Sequence, residues 1–460
     1  MSKSKKVLIA LAVVLALCLA AVAGSFMWYR HTHLKVDGIL YEKYLDTLDL
    51  RGLDVSVEHY DKLTAQMKGT YIRWDVPFQG GKLPNDTESV TLTELTHEDL
   101  ERLEYLPRLH QVEAKDCEEY ALLEELKARR PDCRVHYDVT LGGKSYPLDT
   151  TALEFSGDEV TYQELNANLP WLPMVTSIHF ECPDPASMPA AEIYALQQVR
   201  PDLTVTWTQE IYGQKPDMSV KELDISGTQP ASIREVEELA AYFPELEKLI
   251  MCNTGFDNDS MAAYRDRVRA QYKVVWLVQI GKMEVRTDET SFMPGKSNKP
   301  VRNGETYNMR YLEDLIVVDI GHQGIQDLDW VVGTPHLKYL IVADGGPSNI
   351  EPLSCLKELI YLEVFGTGLR DATPLIGCTA LQDLNVCRTN VEIDGLTQMP
   401  WLKNLWISSC GLTAQERETL SAALPDTRIE YFADHPVANG WRKLPNYYAM
   451  RDALDMWYME

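Results

Sequence analysis

The chain has 460 residues, of which 45% are hydrophobic and 25% charged, and its formal net charge is −25. This length suits two or three compact domains or one long repeat array, and the composition excludes wholesale disorder. The excess of acidic groups repels nucleic acid and anionic lipid headgroups, so we expect no nucleic-acid partner.

The N-terminal segment is the first predicted element. Residues 1–6 carry three lysines and no acid, and the stretch Val7–Tyr29 is uncharged. As a helix this stretch crosses the hydrocarbon core of a bilayer, which is about 30 Å thick. The preceding lysines place residues 31–460 outside the cytoplasm. Residues 1–30 are therefore a cytoplasmic stub and transmembrane anchor, unless cleavage near Ala21-Val22-Ala23 releases a secreted chain.

Residues 31–290 alternate between strand-like and helix-like segments. The tripeptide Arg130-Pro131-Asp132 recurs 70 residues later as Arg200-Pro201-Asp202, each time after an amphipathic helix and before a strand that leads to a glycine. This spacing predicts a unit of strand, helix, strand, helix and strand. We expect a juxtamembrane segment with a first partial α/β unit over 31–85, and irregular α/β units over 86–290.

A regular repeat follows a predicted linker at 291–310, which has no apolar period. Within residues 311–432 a leucine opens a new stretch every 22 residues, or every 21 in the fourth, and apolar residues recur at positions 1, 4 and 6 of each. This alternation predicts one short strand per stretch, buried on one side. A single coil cannot bury its own apolar edge, so stacked coils must form the core. The opening residues are Leu315, Leu337, Leu359, Leu381 and Leu402.

This register resembles that of leucine-rich-repeat proteins, and its period is similar to bacterial internalin-type repeats. The resemblance covers 315–410, with looser units of the same kind upstream. It departs at the asparagine that the family usually places after the strand, where this chain has Gly366, Cys387 or Cys410. The resemblance implies an α/β repeat solenoid with a curved parallel sheet, a bacterial source and protein binding at the cell surface.

The C-terminal segment, residues 433–460, breaks the repeat. Its stretch Pro445–Leu454 is typical of a short amphipathic helix. A repeat array needs a terminal cap over its last open coil, and we expect this segment to supply it.

The candidate binding residues lie on the strands of the regular array. Positions 3, 5 and 7 of each coil point away from the core, onto the predicted concave side. Aromatic side chains mixed with carboxylates there are typical of a protein- or sugar-binding surface. Alternatively, neighbouring side chains only stabilise the sheet as lateral pairs. The candidates are Tyr339, Ile341, Tyr361, Glu363, Phe365, Asp383, Asn385, Asn404 and Trp406.

Sequence motifs for catalysis or for metal and cofactor binding are missing. His31 and His33 have no third ligand at a useful spacing, and Asp257–Ser260 suits a helix cap better than a calcium loop. The nine cysteines form no CxxC pair, so we expect small buried thiols, with disulfides as the alternative outside the cell. We therefore predict no catalytic residues, no metal and no cofactor.

The favoured hypothesis is a non-enzymatic extracytoplasmic repeat protein that binds another protein or a surface polymer through its concave sheet. One alternative is a structural spacer in an envelope assembly without a dedicated ligand. A second alternative is a hydrolase on a repeat scaffold, which requires a cleft beside carboxylates with perturbed pKa values.

Overall fold

The computed structural model of the protein describes residues 3–297 and 299–456. It consists of two compact units, Met1–Trp207 and Thr208–Glu460. Both units are built from parallel strands joined by helices or by irregular coil, and each is described by itself below.

The first unit begins with a long apolar helix, α1 (Lys3–Thr32), none of whose residues is buried. This helix is long enough and apolar enough to cross a membrane, and it is the one such helix among the described residues. A short antiparallel hairpin follows it, and then a partial α/β unit with its own hairpin. These elements are β1 (His33–Val36), β2 (Ile39–Glu42), β3 (Thr47–Asp49), α2 (Val57–Gln66), β4 (Tyr71–Arg73), β5 (Asp75–Phe78) and β6 (Gly81–Pro84).

Two complete units follow, each with three parallel strands and two helices, which is the predicted order. A hairpin separates them. The elements are β7 (Ser89–Thr91), α3 (His97–Leu103), β8 (Gln111–Glu113), α4 (Tyr120–Arg129), β9 (Arg134–His136), β10 (Asp138–Leu141), β11 (Lys144–Pro147), β12 (Ala152–Ser156), α5 (Tyr162–Asn168), β13 (Ser177–Glu181), α6 (Ala190–Val199) and β14 (Thr204–Thr208).

The recurring Arg-Pro-Asp tripeptide has a structural explanation. Arg130 forms two hydrogen bonds to the Asp132 carboxylate, and its guanidinium also donates to the carbonyl oxygens of Leu103, Leu106 and Leu109. Two of these carbonyls, those of Leu103 and Leu106, also accept backbone N–H groups of the turns that follow α3, so the arginine links the end of this helix and those turns to the start of β9. Arg200 repeats the pairing with Asp202.

The glycines that follow these strands lie in hairpins that the strand-and-helix pattern did not predict. At the tip between β10 and β11, Gly142 and Gly143 have φ values of +57° and +68°. A two-residue hairpin turn with positive φ at both positions favours glycine, and the two strands then pair antiparallel. The hairpins β5–β6 and β10–β11 each end one group of parallel strands before the next group begins.

The second unit starts with one more group of this kind and continues into a seven-stranded parallel sheet. The group comprises β15 (Glu222–Asp224), α7 (Ile233–Ala240), β16 (Lys248–Ile250), α8 (Asn258–Val268), β17 (Lys273–Val275), β18 (Leu277–Ile280) and β19 (Met283–Arg286). The sheet and its helices comprise β20 (Ser291–Phe292), β21 (Val317–Asp319), β22 (Tyr339–Ile341), β23 (Tyr361–Glu363), β24 (Asp383–Asn385), α9 (Ile393–Leu396), β25 (Asn404–Trp406), α10 (Ala414–Ala423), β26 (Arg428–Glu430) and α11 (Pro445–Ala453).

Strand β20 lies inside the stretch expected to be a linker. Ser291 and Phe292 pair with Val317 and Val318 and so form the first strand of the sheet. Two residues are too short to show an apolar period, so only the pairing with β21 defines this strand.

The strand register of the sheet confirms the repeat. Tyr339 pairs with Tyr361 at one position, and the next position aligns a column of fully buried leucines. The column provides the apolar core between the strands and the returning coil, as expected where no coil is stable alone. Its members are Leu340, Leu362, Leu384 and Leu405.

Adjacent coils also approach closely on the side opposite the strands. A Cβ atom on Gly377 would lie 2.5 Å from the carbonyl oxygen of Ser354, and one on Gly333 would lie 1.8 Å from that of Arg310. Both glycines end short 3-10 helices, Thr373–Gly377 and Asp329–Gly333. The absent side chain is therefore what allows the coils to stack at this spacing.

We predict that Gly377→Ala destabilises the array, because the methyl group meets backbone that cannot rotate away. The expected loss is about 1–3 kcal/mol, seen as a lower midpoint in denaturant unfolding. Gly81→Ala is the matched control, since the nearest atom to its Cβ would be 3.6 Å away. Equal midpoints for the two variants would contradict the prediction.

Candidate functional site

The candidate binding residues do lie together on one side of the seven-stranded sheet, which we call the array face. The register places Ile341, Glu363, Asn385 and Trp406 in one line, as predicted. The neighbouring line contains Tyr339, Tyr361, Asp383 and Asn404. Phe365 follows β23 and belongs to the same apolar cluster as Tyr361 and Trp406.

The expectation that these side chains are exposed is wrong. Tyr339 and Asn404 are half-buried, and the other seven candidates are buried. What covers them is residues 433–456, which we call the strap. The strap leaves β26 and contacts β25, β24, β23 and finally residues beside β21 and β20. The periodicity of the strands alone could not reveal this, because the covering residues lie far away in sequence.

Trp441 is the centre of the covered surface. Its side chain is fully buried, and its ring centroid lies 5.1 Å from that of Tyr361 and 5.2 Å from that of Trp406. Its indole Nε1 donates to Glu363 Oε1 at 2.6 Å, and the hydroxyl of Tyr361 donates to the same oxygen. One strap residue therefore occupies an aromatic pocket and satisfies a buried carboxyl group.

Polar side chains of the array face bind the strap main chain. Asn385 Nδ2 donates to the carbonyl oxygen of Pro436, and Trp406 Nε1 donates to that of Ala438, both at 2.9 Å. In the opposite direction, Asn446 Nδ2 of the strap donates to Asp383 Oδ2 at 3.0 Å. The array face thus recognises both the backbone and the side chains of the segment.

Apolar strap residues continue the contact toward the first coils. Leu444, Met450 and Leu454 are buried in one cluster with Val317 and Ile341. Met450 lies on α11, the helix expected from the amphipathic pattern of the tail. Instead of covering the open edge of the last coil, as predicted for a cap, the described part of the segment crosses the sheet. Residues 457–460 of the predicted cap lie outside the described residues.

Three carboxyl groups lie on this face, and the pKa of each is raised. Burial raises the pKa of Glu363, which has two hydrogen-bond donors but is wholly desolvated. Burial likewise raises the pKa of Asp319 and of Asp383, although the amides of Asn404 and Asn446 donate to Asp383. Removing an acid from water disfavours its charged form, which is the cause of each upward shift in pKa.

The strap residues were not among the sequence-predicted site residues. Trp441, Leu444, Met450 and Leu454 lie in a tail too short to bury them within itself. That imbalance was the available signal: an apolar tail next to a strand face rich in aromatic residues indicates mutual coverage.

The other candidate positions have structural roles where the structure describes them. The Asp257 side chain accepts from Ser260 N at the start of α8, which confirms the helix cap. His31 lies beside Tyr44, with ring centroids 5.7 Å apart. In residues 3–297 and 299–456 no cluster of three or more potential ligand side chains is placed to hold a metal ion. All nine cysteines are free thiols, five of them buried.

These features define a class. A parallel sheet that gains one short strand with each coil of 21 to 24 residues, over a column of buried leucines, is a leucine-rich-repeat array. No family model matches the chain, and no curated protein matches it either.

Solved structures that match it are internalins and other leucine-rich-repeat proteins. Internalin C2 of Listeria monocytogenes is 17% identical over 54% of this chain and 87% of its own, with a TM-score of 0.23. Another internalin of that species is 13% identical over 75% and 86%, with a TM-score of 0.26. A leucine-rich-repeat protein of Leptospira interrogans is 14% identical over 84% and 90%, with a TM-score of 0.27.

Proposed function

We propose that this chain is a membrane-tethered, non-enzymatic repeat protein that lies outside the cytoplasm and binds a segment of another protein through the array face. The observation that carries the proposal is that this face already binds a peptide, the strap of its own chain. Trp441 enters an aromatic pocket, and Asn385 and Trp406 donate to strap carbonyls. Peptide recognition commonly combines main-chain hydrogen bonds with such side-chain pockets.

The same contacts favour a protein partner over a surface polymer. The pocket around Trp441 is formed by Tyr361 and Trp406, and the donors of Asn385 and Trp406 point at peptide carbonyls. A buried aromatic anchor with a few directed hydrogen bonds is typical of protein interfaces. The hydrolase alternative needs an open cleft beside the perturbed carboxyls, whereas strap side chains contact Glu363 and Asp383.

The test is photo-crosslinking of the full chain in its native cells. A photoreactive amino acid at Tyr339, which is half-buried at the edge of the covered surface, should trap a second protein. Val332 is the control position, because it is 69% exposed and lies in a 3-10 helix outside the strands. Crosslinks from Tyr339 only to the chain itself would favour the spacer alternative, and equal trapping at Val332 would remove the array face as the binding surface.

Tethering and topology give a separate prediction. We expect protease added to intact cells to digest residues 31–460 while a tag fused before Lys3 stays protected, because the lysines before α1 remain in the cytoplasm. Membrane permeabilisation before protease is the control, and should expose the tag as well. A mature chain that starts after Ala23 would instead indicate a secreted protein.

A further inference from the structure

The strap resembles a bound ligand more than a part of the repeat. Among the described residues, 433–456 contribute no strand to the sheet, whose last strand is β26. The connection from β26 passes through Phe432, which is 75% exposed, and through the exposed residues Asp434 and His435. The strap is therefore attached by an exposed connection and lies on a face that the coils have already completed.

A few anchors, separated by exposed residues, make most of the contact. Trp441, Leu444, Met450 and Leu454 are buried, whereas the intervening Tyr448 is 52% exposed. Interfaces between proteins concentrate their binding energy in a few buried anchors of this kind, with Trp prominent among them. When the strap leaves, the array face therefore offers pockets at fixed spacing to any segment whose apolar side chains are spaced like those of the strap.

The polar contacts define which segment fits. Glu363 and Asp383 both accept hydrogen bonds from the strap, from an indole N–H and from a carboxamide. Acidic side chains at these two places of a ligand would offer no donor to Glu363 or Asp383 and would bring a further carboxyl group into a desolvated site, which disfavours them strongly. The face thus selects an aromatic N–H donor and a neutral amide donor along one segment.

We propose that the strap is an internal mimic of the partner. The partner is a protein segment that places a tryptophan in the Trp441 pocket and an amide donor at Asp383. Its binding displaces the strap. This proposal rests on the proposed function and adds the chemistry of the partner. The tethered strap has a high effective concentration, so only a small fraction of chains is open at any time. The apparent affinity of the partner is its affinity for the open face multiplied by that fraction.

The experiment uses the full chain in detergent micelles with a protease site inserted between Asp434 and His435, both exposed. After cleavage the strap should remain bound without a covalent link. A labelled synthetic peptide of the sequence 435–456 should then enter as the cut strap leaves. The same peptide with Trp441→Ala should compete about two to three orders of magnitude more weakly, the loss expected for removing one fully buried indole anchor. The Tyr448→Ala peptide is the matched control and should compete like the unmodified one.

Two results would overturn the proposal. If the cut strap does not exchange while the chain keeps its circular dichroism, the segment is a permanent part of the core. If size-exclusion chromatography shows that uncut chains exchange straps with one another as dimers, the occupant is a second copy instead of a partner. In either case, crosslinking from Tyr339 to another protein would still support the proposed function, so the two failures are distinguishable.

Discussion

Trp441→Ala is expected to release the strap from the array face, with a loss of about 3–5 kcal/mol in the free energy that holds it closed. The substitution removes a fully buried indole from between Tyr361 and Trp406, and it removes one of the two donors to Glu363. A buried carboxyl that loses a donor adds its own cost to that of the cavity. Both effects act on closure alone, because the sheet is complete without the strap.

Hydrogen–deuterium exchange of the full chain measures this release. In the variant, strap amides such as those of Leu444 and Leu454, which donate to Trp441 O and Met450 O, should exchange much faster, while the amides of β22–β25 stay protected. Tyr448→Ala is the control, since its ring is half exposed, and it should leave the pattern unchanged. Unaltered strap protection in Trp441→Ala would show that the indole does not hold the segment.

The second large effect is a dependence of closure on pH. The strap contacts Glu363 and Asp383, and burial raises the pKa of both and of the neighbouring Asp319. When the strap opens, the carboxyls of Glu363 and Asp383 return toward their ordinary pKa of about 4. Closure therefore takes up protons. Its stabilisation is fully present below the ordinary carboxyl pKa and is lost as the pH rises through the raised values.

The charges around these carboxyls do not reverse that sign. Arg442 of the strap faces Glu363, His322 faces Asp319, and Lys403 faces Asp383; each lowers the pKa of its neighbour, but burial is the larger influence in every case. Strap hydrogen exchange, corrected for its intrinsic pH dependence, should show faster opening at about pH 8 than at about pH 5. Slower opening at the higher pH would contradict the assignment.

Glu363→Gln should strengthen closure at neutral pH and flatten the pH dependence. Both donors reach Oε1, which a glutamine oxygen can replace, so the hydrogen bonds remain while the cost of burying a charge disappears. We expect a gain of about 1–2 kcal/mol. Glu363→Ala is the contrasting variant: it leaves Trp441 Nε1 without its acceptor and should loosen the strap. If the two variants behave alike, Glu363 does not contribute through hydrogen bonding.

Much of the fold was predictable because repetition makes a weak local signal visible. One apolar alternation cannot distinguish a strand from a buried turn, but the same alternation at Leu337, Leu359 and Leu381 fixes both the strands and their register. The short strand β20 and the two-residue hairpins lack such support. The two residues of β20 are too few to show a period. The sequence shows a glycine at each hairpin tip, but it does not show that the strands on either side of that glycine pair antiparallel.

The candidate residues were correctly predicted to share one face of the sheet, but the exposure of that face was predicted wrongly. The period of two fixes which side chains of a strand point away from the core, so Tyr361, Glu363 and Asn385 were assigned to one face correctly. Whether that face meets water depends on Trp441 and Leu454, up to about a hundred residues further along the chain. The sequence by itself determined the repeat and the identity of the face, since both follow from local periodicity. Only the tertiary structure decided that the face is occupied, because burial is settled by contacts between segments distant in sequence.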